Sequence, residues 1–312
     1  MYGWAGVWSV WSAVLLTDGA GSEPVTVGGV TILPAATPAG VAEAIADVAR
    51  GPVVVAAPLS LADTATSALT FLTANWPELP GARVVSGHAP LAILSALASA
   101  QAQGGAATFA VRLVEELLRH SWSGAWVASL TRLSRPAPKI AQHVRSFLPG
   151  AGFVLRQEPS PAVLGAVRGT DVPSAPVSRF LLTEEGVPAH LTEAVAHAGH
   201  AVGVRQVTIP GVWTSVYGTS RSTQLALVPA DPSVFRFGHG YDCPSCRQPQ
   251  PEDRCPFCRV RCLPAQPEAP WHQTVTTTQS PPASQSAPPP LPPRIAATQP
   301  PSPASDRAGG YR

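Results

Sequence analysis

The stretch PAGVAEAIADVARGPVVVAA, residues 38–57, carries two periodicities back to back. Pro38 suits the first turn of a helix, and Val41, Ile45 and Val48 then recur on one helical face until Gly51 closes it. PVVVAA (52–57) follows as an unbroken β-branched run, the mark of a strand buried on both faces. A helix feeding such a strand predicts a layered α/β fold with a parallel sheet.

The flanking sequence extends the same pattern. Upstream, residues 7–16 form an apolar run ending in the turn Thr17-Asp18-Gly19, and Val25–Val27 and Val30–Leu33 flank Gly28-Gly29 as a tight hairpin. Trp4, Trp8 and Trp11 fall in this apolar opening, where a buried first strand is preferred over a membrane-interface anchor. Downstream come a helix from Ala62 to Trp76, a strand Arg83–Ser86 and a helix from Pro90 to Ala102. After Gly104-Gly105, Thr108–His120 reads as an amphipathic helix with Val111, Val114 and Leu118 inward and Arg112, Glu115, Glu116 and Arg119 in water. A strand Trp126–Leu130, a helix Pro138–Leu148 and a strand Phe153–Arg156 complete an expected domain over residues 1–157, its mostly parallel sheet flanked by helices.

EPSPA (158–162) marks an expected boundary. Beyond it a small α+β unit, residues 158–235, contains strands Arg179–Thr183 and Val202–Ile209 around a helix Pro188–His200. Strands Val212–Tyr217 and Thr223–Val228 follow, joined by a turn at Gly218–Arg221. Residues 263–312 are rich in Pro, Ser, Thr and Gln with almost no aliphatic side chains, and are expected to be disordered. APPPLPPR (287–294) within them holds a P-x-x-P-x-R pattern, Pro289, Pro292 and Arg294, of the kind read by SH3 grooves.

All five cysteines lie in HGYDCPSCRQPQPEDRCPFCRVRC, residues 239–262. Cys243/Cys246 and Cys255/Cys258 form two C-P-x-C turns, and each turn can aim two sulfurs at one ion, giving a tetrahedral S₄ site that suits zinc. The segment resembles the short zinc ribbons appended to many prokaryotic proteins, over residues 241–260 and on CPSC and CPFC alone. The resemblance implies a closed structural Zn²⁺ site and a backbone that enters positive φ after each second cysteine. Ribbons of this kind usually have glycine there; this chain has Arg247 and Arg259, at a cost of about 1 kcal/mol each. Two disulfides or an iron–sulfur cluster are the alternatives, and Cys262 is a spare thiol or a substitute ligand.

Charged residues make up 13% of the chain, about half the usual share, and the net charge is only +2, too small to imply nucleic acid. Lys139 is the single lysine and follows no glycine-rich loop, so a P-loop nucleotidase is excluded. GxGxxG, GxSxG, HExxH and kinase signatures are absent. Gly19-Ala20-Gly21 reads as a turn, and His190, His197 and His200 as a solvated helix face. No segment reaches the length of a membrane span, and the apolar start lacks the basic residues of a signal peptide; with thiols spaced for metal, the cytoplasm is the expected compartment.

These features predict a non-enzymatic binding or adaptor protein, with the ribbon as a knob for a protein partner and the proline-rich end as tether. Its partner-binding residues would be Arg247, Arg254, Phe257, Arg259 and Arg261 of the ribbon with Pro289, Pro292 and Arg294. One alternative is a small-molecule enzyme using Asp18, Ser86 and His88 at the carboxyl edge of the sheet, where ligands of open α/β sheets gather. The other is nucleic-acid binding through the ribbon arginines, weakened because four thiolates around Zn²⁺ bring the module close to neutral.

Overall fold

Strand β1 (Ser12–Thr17) is the centre of the first sheet, and all but the first of its residues are buried. The computed structural model describes residues 10–18, 23–130, 133, 136–148, 152–164, 178–183, 187–207 and 222–265. Trp4, Trp8, the strand expected at 212–217, and Pro289, Pro292 and Arg294 lie outside them.

After β1 come β2 (Val25–Val27), β3 (Val30–Pro34), α1 (Pro38–Val48) and β4 (Val53–Pro58). A 3₁₀ turn at Leu59–Leu61 leads into α2 (Ala62–Asn75), followed by β5 (Gly81–Ser86), α3 (Pro90–Gln103) and α4 (Ala107–Arg119). The sheet order is β2-β3-β1-β4-β5, parallel throughout except for β2, which is antiparallel to β3. Thr37 caps α1 by accepting from the Gly40 amide, and Pro38 takes the first helical turn.

The period of two along the strands sorts this core into two layers. Val14, Leu16, Val53, Val55 and Ala57 pack with α1 and α2 on one face. Ala13, Leu15, Val54 and Ala56 pack with α3 and α4 on the other. PVVVAA is thus buried on both faces, as its composition requires.

A second sheet covers the far side of α3 and α4. It is built from β6 (Trp122–Val127), β7 (Phe153–Glu158), β8 (Ala162–Leu164), β9 (Ser178–Leu182), β10 (Ala201–Gln206) and β11 (Ser222–Pro229). Its order is β10-β9-β11-β6-β7-β8, antiparallel apart from β9 with β10. The strands expected near 126–130 and 153–156 therefore pair here, across residue 158, and not with β5. Leu181, Ala226 and Val228 face α3 and α4, whereas Phe180, Leu225 and Leu227 face helix α6 (Ala189–Ala198). Helix α5 (Ile140–Arg145) connects β6 to β7.

The cysteine segment adds a small sheet of β12 (Tyr241–Asp242), β13 (Pro249–Gln250) and β14 (Leu263–Pro264), in the order β13-β12-β14. No helix among the described residues is long and apolar enough to cross a membrane.

Candidate functional site

Each C-P-x-C turn is closed by the same pair of backbone bonds. The Arg247 amide donates to the Cys243 carbonyl and the Arg259 amide to the Cys255 carbonyl, both at 2.9 Å. Cys243 N donates in turn to Gln248 O at 3.1 Å, and Cys255 N to Val260 O at 3.0 Å. Arg247 and Arg259 sit at φ +61° and +58°, the left-handed conformation that ribbons normally give to glycine. The two knuckles bring one ligand sulfur from each of Cys243, Cys246, Cys255 and Cys258 within 4.8 Å of one another, a cluster that can hold a metal ion. Cys246 Sγ and Cys255 Sγ are 3.8 Å apart, and the Cys258 amide donates to Cys255 Sγ at 3.4 Å. Hydrogen bonds from the Cys246 and Cys255 thiols hold the Cys258 thiol far below its ordinary value. Cys262 stands outside this set: it is buried, and desolvation with the nearby Cys243 pushes its pKa up to about 11.

The knuckles lie against α4 and are not held away from the body. Cys243, Cys246, Cys255, Phe257 and Cys262 belong to the same core cluster as Val111, Val114 and Leu118. Thr108 Oγ1 donates to Pro249 O at 2.7 Å, and Arg112 Nε reaches Glu252 Oε1 at 3.0 Å. Arg112 also pairs with Glu116 at 2.7 Å, which corrects the expectation that Glu116 stays in water: it is buried beneath Arg112 and Arg119. Phe257, expected as a recognition residue, is a core residue instead. Arg247, Arg254, Arg259 and Arg261 are exposed, with Arg261 paired to Asp253 at 3.7 Å.

Asp18, Ser86 and His88 do not converge. Asp18 follows the end of β1 and accepts from Ser60 Oγ at 3.3 Å, whereas Ser86 ends β5, two strands away and so roughly 10 Å along the edge. Ser86 Oγ accepts from the His88 amide at 3.2 Å, while the His88 ring turns to Ser123 Oγ on β6 at 3.1 Å. Burial lowers the His88 pKa to about 4. The open cavity beside these residues is also lined by Glu115, Arg119 and Glu158, and desolvation raises the pKa of both carboxyls.

A different crevice, of about 290 Å³, opens between α3 and the second sheet. Leu91, Leu94, Ser95, Ala98, Ser99 and Ala102 recur at helical spacing and make its α3 wall, with Val27 and Gly28 of the β2–β3 turn at one side. Arg179 and Leu181 on β9, with Arg205 on β10 and Val207 just beyond it, make the opposite wall. Arg205 lies opposite Leu181 in the parallel register, so alternation along each strand turns all four toward the helix. Among the described residues no carboxylate pairs with either arginine. Small residues on α3 leave the hollow, apolar ones line it, and two cations stand at its wall. None of this is local in sequence; the one readable signal is the stripe of small residues along α3.

No family model and no curated protein matches the sequence. A DegV family protein from Eubacterium eligens, solved loaded with heptadecanoic acid, superposes with a TM-score of 0.51 at 10% identity, over 70% of this chain and 99% of that one. The Streptococcus pneumoniae fatty acid kinase B3 protein, loaded with linoleic acid, gives 0.51 at 11%, over 71% and 100%. A DegV family protein from Corynebacterium glutamicum gives 0.50 at 11%, over 71% and 97%. The fold is DegV-like. Two of these DegV-like neighbours hold a small lipid, and the cysteine knuckles are docked on α4. Both findings overturn the expectation of an adaptor that presents a ribbon as its knob. Of the residues named for the alternatives, Asp18, Ser86 and His88 do not converge, Phe257 is buried, and the ribbon arginines are exposed.

Proposed function

We propose that the protein binds a small molecule with an acyl tail and an anionic head, in the crevice between α3 and the second sheet. The observation that carries this is the amphipathic lining: Leu91, Leu94, Ala98, Leu181 and Val207 beside Arg179 and Arg205, which pair with no carboxylate among the described residues. A volume of about 290 Å³ stands at the lower end of ligand pockets, roughly 300–1,000 Å³. Each methylene buried there contributes about 0.8 kcal/mol, and a carboxylate gains a charge-assisted partner from a guanidinium. The cavity at His88 suits such a head less well, because Glu115 and Glu158 face it. The DegV-like neighbours loaded with heptadecanoic and linoleic acids support the same ligand class. The test is extraction of the purified full chain followed by mass spectrometry of the lipid fraction. Wild type is expected to release fatty acid in near-stoichiometric amount, and Arg179→Glu/Arg205→Glu little. Equal loading of both proteins would refute the site.

The second element is zinc. Four thiolates at about 2.3 Å from Zn²⁺ place tetrahedral neighbours roughly 3.8 Å apart, the spacing of Cys246 Sγ and Cys255 Sγ. The donor set therefore fits the ion, which would cross-link the knuckles and leave no open coordination position. Reduced, metal-spaced thiols support a cytoplasmic setting. One zinc per chain, lost in Cys243→Ser/Cys258→Ser, is the expected metal content. Iron or no metal would contradict it.

A further inference from the structure

Helix α5 is turned inside out. Its polar side is held to the body, where Gln142 Nε2 donates to Val163 O at 3.0 Å. Its apolar side chains, with those of the turn that continues it, point to solvent: Ile140 is 84% exposed, Val144 64%, Phe147 74% and Leu148 62%. Positions 140, 144, 147 and 148 share one helical face, so these four make a single patch. Large apolar faces of this kind mark an interaction surface.

The charge around the patch says what it meets. Along α5 and its flanks, residues 136–148, the sequence has no aspartate or glutamate, while it carries Lys139 and Arg145. Over the whole chain the two signs nearly balance, 21 basic to 19 acidic, so the segment is a local excess. Lys139 and Arg145 are exposed and bracket the helix. A second copy of this chain would cover the apolar face only by bringing Lys139 and Arg145 of both copies together with no acid between them, which is repulsive. An apolar stripe flanked by cations matches instead the acyl and headgroup layers of an anionic bilayer.

We propose that the α5 face is a membrane-docking surface, with Ile140, Val144, Phe147 and Leu148 entering the interface and Lys139 and Arg145 contacting anionic lipid headgroups. This surface is separate from the α3 crevice and does not depend on what that crevice binds.

The experiment is co-sedimentation of the full chain with vesicles of equal parts phosphatidylglycerol and phosphatidylcholine, and with vesicles of phosphatidylcholine alone, no free fatty acid being added. The expected partition onto the anionic vesicles is about tenfold or more above that onto neutral ones, and falls as salt is raised. Ile140→Ser/Phe147→Ser abolishes it, and Lys139→Glu/Arg145→Glu removes the preference for anionic lipid. Because these side chains are exposed, the melting temperature of both variants should match wild type, so loss of binding is not loss of fold. No partition onto either vesicle, equal partition onto both, or undiminished binding by Ile140→Ser/Phe147→Ser would overturn the proposal. So would a dimer in light scattering that this variant dissolves, which would give the face to a second copy.

Discussion

His88 sits where five elements meet. Its ring meets Ser123 of β6, its backbone leads from β5 into α3, and Leu118, Glu115 and Arg119 of α4 with Glu158 of β7 surround it. With a folded pKa near 4 against about 6.5 when unfolded, the ring is neutral in both states above pH 6.5 and adds no slope there. Between pH 6.5 and 4 the unfolded chain takes up a proton that the folded chain refuses. Stability therefore falls as pH falls, by up to about 3 kcal/mol, and levels off below pH 4. Urea denaturation across this window should show that slope in wild type and lose it in His88→Gln. Arg247 and Arg259 are residues whose left-handed conformation was legible in advance, because the resemblance to zinc ribbons implies a positive φ after each second cysteine. Phe257 reads in the sequence as a recognition residue of the second knuckle, and only the packing of the ribbon on α4 buries it.

Among the elements, α3 lacks a capping residue of its own, since Ala89 precedes it. The second sheet supplies the acceptors. Ser123 Oγ on β6 accepts from the Ala89 amide at 3.0 Å, and Gln224 Oε1 on β11 from the Leu91 amide at 3.0 Å. A helix sandwiched between two sheets is thus pinned at its positive end by the sheet that arrives later in the chain. Gln224→Leu leaves the Leu91 amide buried and unpaired, and should cost about 1–3 kcal/mol in chemical denaturation. A cost below about 0.5 kcal/mol would mean that water takes the place of the side chain. This coupling was invisible in the sequence, as was the strand pairing behind it. Periodicity made β1, β4, α1 and α4 readable residue by residue, because each signal is local. Which sheet β6 and β7 join is set by pairing with β11, about a hundred residues after β6, and no local pattern encodes it.

At the scale of the whole molecule, two sheets share α3 and α4, and the cysteine knuckles close over the outer part of α4. Removing a metal from the knuckles should loosen that part first. In hydrogen exchange with a chelator, the α4 amides near Thr108 and Arg112 are expected to lose protection, while β1 and β4 keep theirs. Uniform loss would mean that the knuckles hold up the entire fold. The crevice belongs to this scale too: residues from 27 to 207 meet only after both sheets have formed, so nothing in the sequence could place Arg179 beside Ala98. Its most direct test is isothermal titration of the full chain with dodecanoate and, separately, dodecanol. The account predicts saturable binding of dodecanoate at least about tenfold tighter than dodecanol, a preference erased in Arg179→Ala/Arg205→Ala. No saturable binding, or a preference for the acid that survives loss of both arginines, would contradict it.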